Sequence, residues 1–164
     1  MNQRSQLLSI LCLTVTVSSG CQRPADIEAG VGQPALASTE TSKDFGDYVV
    51  HFNALATQQL SPDVAQQHGI IRSKTRALLN VSIIKKEPGT LGRSVSGSVS
   101  ASAINLTGQL KNITVREIRE EDSIYYIGEA ITANEETLIF TIDVTPLNES
   151  SRFSIRYMKQ FFAD

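Results

Sequence analysis

The chain has 164 residues, and its 15 lysines and arginines against 17 aspartates and glutamates leave a formal net charge of −2. This balance argues against a nucleic-acid-binding protein, because such proteins present a strongly basic surface. The only two cysteines, Cys12 and Cys21, lie close together near the N-terminus, which excludes a disulfide framework for the rest of the chain.

Residues 1–20 have the pattern of a secretory signal peptide. Arg4 is basic, residues 7–17 are predominantly apolar and residues 18–20 are small, which is the order typical of an export signal. The apolar run is too short for a transmembrane helix, which needs about 20 apolar residues. We therefore predict that this segment directs export and is then removed.

Cys21 predicts a lipid anchor. Small residues that end in Gly20-Cys21 resemble the bacterial lipobox, in which the cysteine thiol receives a diacylglycerol and the chain is cut before it. We expect a lipoprotein that faces the periplasm, with the outer membrane favoured because Gln22 rather than an aspartate follows the cysteine. A soluble periplasmic protein is the alternative, since Ser18 stands where the lipobox usually has a large aliphatic residue.

Residues 21–43 are predicted to be the lipidated cysteine followed by a flexible linker. The linker is rich in Ala, Gly, Pro, Ser, Thr and Gln and has almost no aliphatic periodicity, so it cannot bury enough apolar surface to fold. The folded domain is expected to span residues 44–164. With about 120 residues it is large enough to be held by its core alone.

The domain is predicted to be all-β, because the dominant signal from Phe45 onward has the period of two that is typical of strands. A short helix near residues 61–68 interrupts this signal, with Ser61 as its N-cap and Pro62 as its first residue. Strands are predicted over residues 47–56, 77–86, 93–106, 110–118, 124–131, 138–144 and from residue 153 onward.

About seven strands joined by short polar turns predict an antiparallel β-sandwich of immunoglobulin-like size. The last three strands are expected to form an antiparallel meander. Residues 93–106 alternate serines with small apolar residues, so we expect this strand to face a bulky surface, such as that of Leu138, Phe140 and Ile142. As a bare edge it would be prone to aggregation, so it should be paired on both sides or covered.

Three segments resemble a known family. Residues 43–55, residues 69–74 and residues 78–82 read KDFGDYVVHFNAL, GIIRSK and LLNVS, and they are similar to segments of small exported proteobacterial proteins catalogued as domain-of-unknown-function family 4426. The resemblance extends from about residue 43 to the C-terminus. It implies a compact exported β domain, but it supplies no activity and no functional residues.

No catalytic, metal-binding or cofactor-binding motif stands out in the sequence. His51 and His68 are the only histidines, and their spacing on different elements is not typical of a zinc site. The segment Ser94-Val95-Ser96-Gly97-Ser98 lies inside a predicted strand, not at the strand-to-helix turn that a nucleophilic serine requires. We predict no cofactor, no metal and no enzymatic activity.

The one binding-site prediction concerns three cations, Arg72, Lys74 and Arg76, which alternate just before an apolar strand. If the segment is extended, all three point the same way and could bind an anionic partner such as a phosphate headgroup or an acidic glycan. The alternative is a solubilising edge, since cations are common on exposed edge strands.

Three hypotheses for the function remain open. The first is a non-enzymatic envelope lipoprotein that binds another envelope component, whether a protein or a glycan. The second is a small hydrolase-like enzyme without a recognisable motif. The third is a structural or inhibitory module whose sheet edge binds a partner by strand addition.

Overall fold

The structure is a computed structural model that describes Ala35 and residues 39–163. The predicted signal peptide, Cys21 and most of the predicted linker lie outside the described residues. Within residues 39–163 there are ten strands, one α-helix and one 3-10 helix. They are β1 Ser42–Asp44, β2 Tyr48–Ala56, the 3-10 helix Thr57–Gln59, α1 Pro62–Gln67, β3 Arg76–Lys85, β4 Arg93–Ser94, β5 Gly97–Asn105, β6 Leu110–Asn112, β7 Arg116–Glu120, β8 Ser123–Ile131, β9 Glu136–Pro146 and β10 Phe153–Phe161.

The strands form two antiparallel sheets, which confirms the predicted all-β sandwich. The larger, six-stranded sheet has the order β1-β2-β3-β8-β7, with β4 added beside the end of β3. The smaller, four-stranded sheet has the order β10-β9-β5-β6. None of the described helices is long and apolar enough to cross a lipid bilayer.

The main core lies between the two sheets, as the period of two predicts. Alternate residues of β2 and β3 are buried, and the same holds for the central strand β9. Phe52 of the six-stranded sheet meets Tyr157 of the four-stranded sheet with 5.1 Å between the ring centroids. Such aromatic contacts add to the stabilisation that burial of the apolar surface provides.

The predicted continuous strand over residues 93–106 is wrong, because the chain changes sheets in its middle. The Val95 N–H donates to Ile83 O of the six-stranded sheet, whereas Ser96 O accepts from the Leu147 N–H beside the four-stranded sheet. Gly97 makes this crossing possible, since a Cβ there would lie 2.6 Å from Thr145 O. A side chain at this position would collide with backbone.

Tyr126 binds the chain at the point where it changes sheets. Its hydroxyl accepts a hydrogen bond from the Gly97 N–H at 2.7 Å and donates to Glu117 Oε2, also at 2.7 Å. Burial, reinforced by the hydrogen bond to Glu117, raises the pKa of Tyr126 to about 12. The hydroxyl therefore stays protonated at neutral pH and can fill both roles.

The predicted strand over residues 110–118 is wrong in the same way. It divides into β6, in the four-stranded sheet, and β7, in the six-stranded sheet. The connecting residues 113–115 cross over Gly128, where a Cβ would collide with Ile113 Cγ2. The close approach of the connection to β8 thus depends on a residue without a side chain.

Three further expectations are corrected by the topology. The last three strands do not form a meander, because β8 belongs to the six-stranded sheet while β9 and β10 pair in the other. β5 does not face Leu138, Phe140 and Ile142, because it pairs alongside β9 in the same sheet. On its other side β6 covers only Ser102–Ile104 of the described strand β5, so β5 is not paired on both sides along its length.

Candidate functional site

The helix α1 covers part of the outer face of the six-stranded sheet. Ser61 caps it by accepting a hydrogen bond from the Val64 N–H at 3.3 Å, and Pro62 occupies its first turn, as predicted. Ala65 and Ile70 are buried against Leu78 of β3 and Ile127 of β8. This small second core lies on the side of the sheet that faces away from the main core.

A pocket of 140 Å³ lies between α1 and the sheet, and we call it the helix pocket. Most of its wall is aliphatic or aromatic, and three polar side chains join it. The lining residues are Leu60, Val64, His68, Ile70, Leu78, Asn80, Ile118, Glu120, Tyr125 and Ile127. An apolar pocket with a few polar groups is the usual form of a small-molecule or side-chain binding site.

Polar contacts fasten the end of α1 to strand β7 at the rim of the helix pocket. His68 Nε2 lies 3.0 Å from Glu120 Oε1, and Gln67 Nε2 donates to the same oxygen at 3.1 Å. The Arg116 guanidinium donates to the backbone carbonyl of His68. These contacts hold His68 between helix and strand and set the width of the opening.

Asn80 supplies an unsatisfied polar atom to the helix pocket. Its Oδ1 is buried and has no hydrogen-bond partner among the described residues. A buried amide oxygen without a partner costs about 1–3 kcal/mol, so most proteins satisfy such atoms. The oxygen can accept a hydrogen bond from an N–H or O–H group of a ligand.

A second cavity, of 240 Å³, adjoins the helix pocket, and we call it the arginine cavity. It is lined by Arg76, Asn112, Thr114, Arg116, Ile127, Gly128 and Glu129. Arg76 Nη1 lies 3.5 Å from Glu129 Oε2. Glu129 is the only carboxylate among the residues that line this cavity, which include two guanidinium groups. Ile127 lines both cavities.

A third, open pocket of 200 Å³ brings His51 close to Asn53, Asn80 and Ser82 on the same outer face. The two histidines of the chain therefore lie on either side of Asn80, although they are far apart in sequence. Among residues 39–163 no three His, Cys, Asp or Glu side chains are grouped so that they could hold a metal ion.

The predicted row of Arg72, Lys74 and Arg76 is not an extended row. Lys74 and Thr75 form a turn, and of the three cations only Arg76 belongs to strand β3. Arg72 donates to the Gln58 carbonyl at 2.9 Å. The geometric premise of the prediction is therefore wrong, while binding of an anionic partner by these cations stays a prediction.

Sequence reasoning missed Asn80, Arg116 and Glu120. One signal was available. Tyr125 and Ile127 are large side chains at positions of β8 that point away from the main core. Apolar residues on both faces of a strand indicate that something covers the second face, and here α1 does.

Comparisons with known proteins connect the chain to a family and to two solved structures. The profile of the family described as domain of unknown function DUF4426 matches residues 42–164, which confirms the predicted resemblance. A crystal structure of a DUF4426 family protein from Pseudomonas aeruginosa is 33% identical, with a TM-score of 0.64, and the match covers 75% of this chain and 94% of that one. No curated protein matches the chain.

The second structure is FetP from uropathogenic Escherichia coli strain F11, expressed recombinantly in the periplasm of E. coli. It is 13% identical, with a TM-score of 0.55, and the match covers 75% of this chain and 93% of FetP. At this identity the likeness shows a common fold alone.

Proposed function

The chain belongs to the DUF4426 family, and we propose that it is a non-enzymatic binding protein of the cell envelope whose binding site is the helix pocket. The observation that carries the proposal is Asn80 Oδ1, a buried acceptor without a partner among the described residues in a largely apolar pocket. An unpaired acceptor is a cost to folding that a bound donor would remove. The pocket is small, so it suits one apolar group and not a large substrate.

The proposal places the protein on the non-cytoplasmic side of a membrane, anchored by a lipid on Cys21. The support for this is the sequence of residues 1–21, with its basic start, apolar run and Gly-Cys ending. FetP, which shares the fold, was expressed recombinantly in the periplasm, which is compatible with this location. A lipid-anchored domain meets envelope proteins and glycans, and these are the proposed partners.

A hydrolase-like activity is the second candidate, and the His68–Glu120 contact favours it. A histidine oriented by a carboxylate is a common arrangement for a general base. However, the residues that line the helix pocket include no serine, threonine or cysteine beside His68. Binding therefore accounts for the described site better than nucleophilic catalysis does.

Strand addition is the third candidate, and the partly uncovered strand β5 favours it. β6 pairs only with Ser102–Ile104, so within the described residues β5 has a ladder partner along Gly97–Ala101 only on the β9 side. An extended peptide can pair with such an edge.

Photocrosslinking in intact cells tests the proposed site. A photoreactive amino acid replaces Val64, which lines the helix pocket and is 41% exposed, or Leu147, which is 65% exposed at the turn before β10. We expect the probe at position 64 to capture a defined envelope component that the probe at position 147 does not. The same products from both positions would contradict a binding site at the helix pocket, and capture through the exposed position 100 of β5 instead would favour strand addition.

A further inference from the structure

The helix pocket and the arginine cavity lie side by side on the outer face of the six-stranded sheet. Asn80 of β3 pairs with Ile127 of β8, and Ile127 pairs with Arg116 of β7. Two strand spacings of about 4.8 Å separate Asn80 from Arg116 at the backbone, roughly 10 Å in all. A small ligand can therefore contact both residues at once.

The arginine cavity has the charge of an oxyanion site. Arg76 and Arg116 contribute two positive charges, and Glu129 is the one carboxylate in the lining. Each guanidinium has five N–H donors, while the described contacts use one from Arg76 to Glu129 and one from Arg116 to the His68 carbonyl. Asn112 and Thr114 add neutral polar groups to the same wall.

We propose that the two cavities together bind the C-terminal residue of a peptide with an apolar side chain. The carboxylate binds between Arg76 and Arg116, and the side chain enters the helix pocket. The backbone N–H of that residue donates to Asn80 Oδ1. This inference rests on the proposed function, because it names the ligand class for the same pocket.

The observations favour a peptide over a fatty acid. The helix pocket has a volume of 140 Å³, which suits a short, branched side chain better than a long acyl chain. A fatty acid also has no N–H group to satisfy the unpartnered Asn80 oxygen. Capture of a C-terminal carboxylate by convergent donors is a recurring mode of peptide recognition.

The experiment titrates small probes into the full-length chain carrying Cys21→Ser, purified without detergent, and follows backbone amide shifts by NMR. The probes are N-acetyl-leucine, its uncharged counterpart N-acetyl-leucinamide, and hexanoate. We expect N-acetyl-leucine to shift the amides of Asn80, Ile127 and Gly128 and to bind about tenfold more tightly than the amide, since a charge-assisted hydrogen bond contributes that much.

Arg76→Gln is expected to remove the preference for the acid while leaving binding of the amide unchanged. Arg116→Gln is expected to remove the same preference, but it also removes the contact to the His68 carbonyl at the rim of the helix pocket, so only the ratio of the two affinities is compared for this variant. The matched control is Arg152→Gln, since Arg152 pairs with Asp143 at 2.7 Å on the other sheet and its loss should keep the preference. Arg76→Gln is the more specific of the two tests. Arg116 also holds the His68 carbonyl at the end of α1, so its replacement affects the position of the helix as well as the charge.

Equal affinity for N-acetyl-leucine and its amide would overturn the inference while leaving the proposed function in place. The same holds if both arginine variants keep the preference for the acid. Tighter binding of hexanoate than of N-acetyl-leucine would overturn the peptide assignment in favour of an acyl chain. Absence of binding by all three probes would overturn the inference, whereas the proposed function is decided separately by the crosslink at position 64.

Discussion

Glu136 illustrates how single residues close one end of the sandwich. Its Oε1 accepts a hydrogen bond from Asn105 Nδ2 at 2.8 Å and lies 3.1 Å from Lys111 Nζ, while its Oε2 accepts from the Ala133 N–H. Burial alone would raise the pKa of Glu136, but these contacts outweigh burial and hold the pKa below its ordinary value. The carboxylate is thus satisfied in its charged form.

Replacing this side chain tests the role of the charge. Because the pKa of Glu136 is lower in the folded than in the unfolded state, the charged form stabilises the fold above the unfolded pKa, and this stability is lost as the pH falls through the folded pKa. We expect Glu136→Gln to lower the free energy of unfolding at pH 7 by about 1–3 kcal/mol. Denaturant unfolding at pH 7 and at successively lower pH measures both effects.

The variant should also lose less stability than the parent between pH 5 and pH 3, because the group that titrates is gone. Glu40→Gln is the control, since Glu40 is exposed, and its acid response should match that of the parent. An acid response of Glu136→Gln identical to the parent's would show that the contacts around Glu136 do not depend on the charge of the carboxylate.

Among the strands, β5 has one face that packs on the main core and one face that is exposed. Val99 is half-buried and packs on the main core, whereas Ser98 is exposed on the opposite face. We expect Val99→Asp to lower the free energy of unfolding by about 3 kcal/mol, because it brings an unpaired charge against the core. Ser98→Asp should change the stability by less than about 0.5 kcal/mol.

Thermal unfolding of the two purified variants, followed by circular dichroism, makes this comparison. Small and equal losses would mean that Val99 does not face the core. Large and equal losses would mean that both faces of β5 are buried, which would contradict the exposure of Ser98.

The strands of the sandwich show which parts of the fold were predictable from the sequence. The inward positions of β2, β3 and β9 were predictable, because a period of two fixes which residues face the core. The sheet changes at Gly97 and between β6 and β7 were not, because the core lies between the sheets and the alternation continues unchanged when a strand passes from one to the other. Only the backbone hydrogen bonds of Val95 and Ser96 distinguish the two sheets.

The candidate site was less predictable than the fold for a related reason. The helix pocket combines α1 with positions of β3, β7 and β8 that are adjacent only because β8 pairs with both of the other strands. Nothing in the local pattern around Asn80 or Glu120 indicates that pairing. The short helix itself was predictable from Ser61 and Pro62, since capping depends on neighbouring residues alone.

For the whole molecule, the proposed lipid anchor on Cys21 would hold the proposed binding site close to a membrane. If Cys21 carries the lipid, Cys21→Ser should abolish acylation and move the protein from the membrane fraction to the soluble periplasmic fraction. Stable attachment to a bilayer needs more than one acyl chain. Because Cys21→Ser removes the site of the diacylglycerol, the shift to the soluble fraction should be nearly complete. Fractionation with immunodetection measures it, and a variant that stays with the membranes as the parent does would contradict the lipoprotein assignment.

The proposed binding function of the helix pocket depends on Asn80 serving a ligand at the expense of the stability of the fold. Asn80→Leu removes the unpartnered amide oxygen and places an apolar side chain against an apolar pocket. If the oxygen is kept for binding, the variant should be more stable than the parent, by about 1 kcal/mol, and should lose the crosslink formed from position 64.

The most direct measurement therefore determines both properties on one variant, the free energy of unfolding and the yield of the crosslink from position 64. Asn80→Leu is expected to unfold at a higher denaturant concentration, and its crosslink is expected to fall to the background seen from position 147. A variant that is less stable than the parent and still crosslinks with full yield would contradict the proposed role of Asn80, because Asn80 would then support the fold and not the ligand.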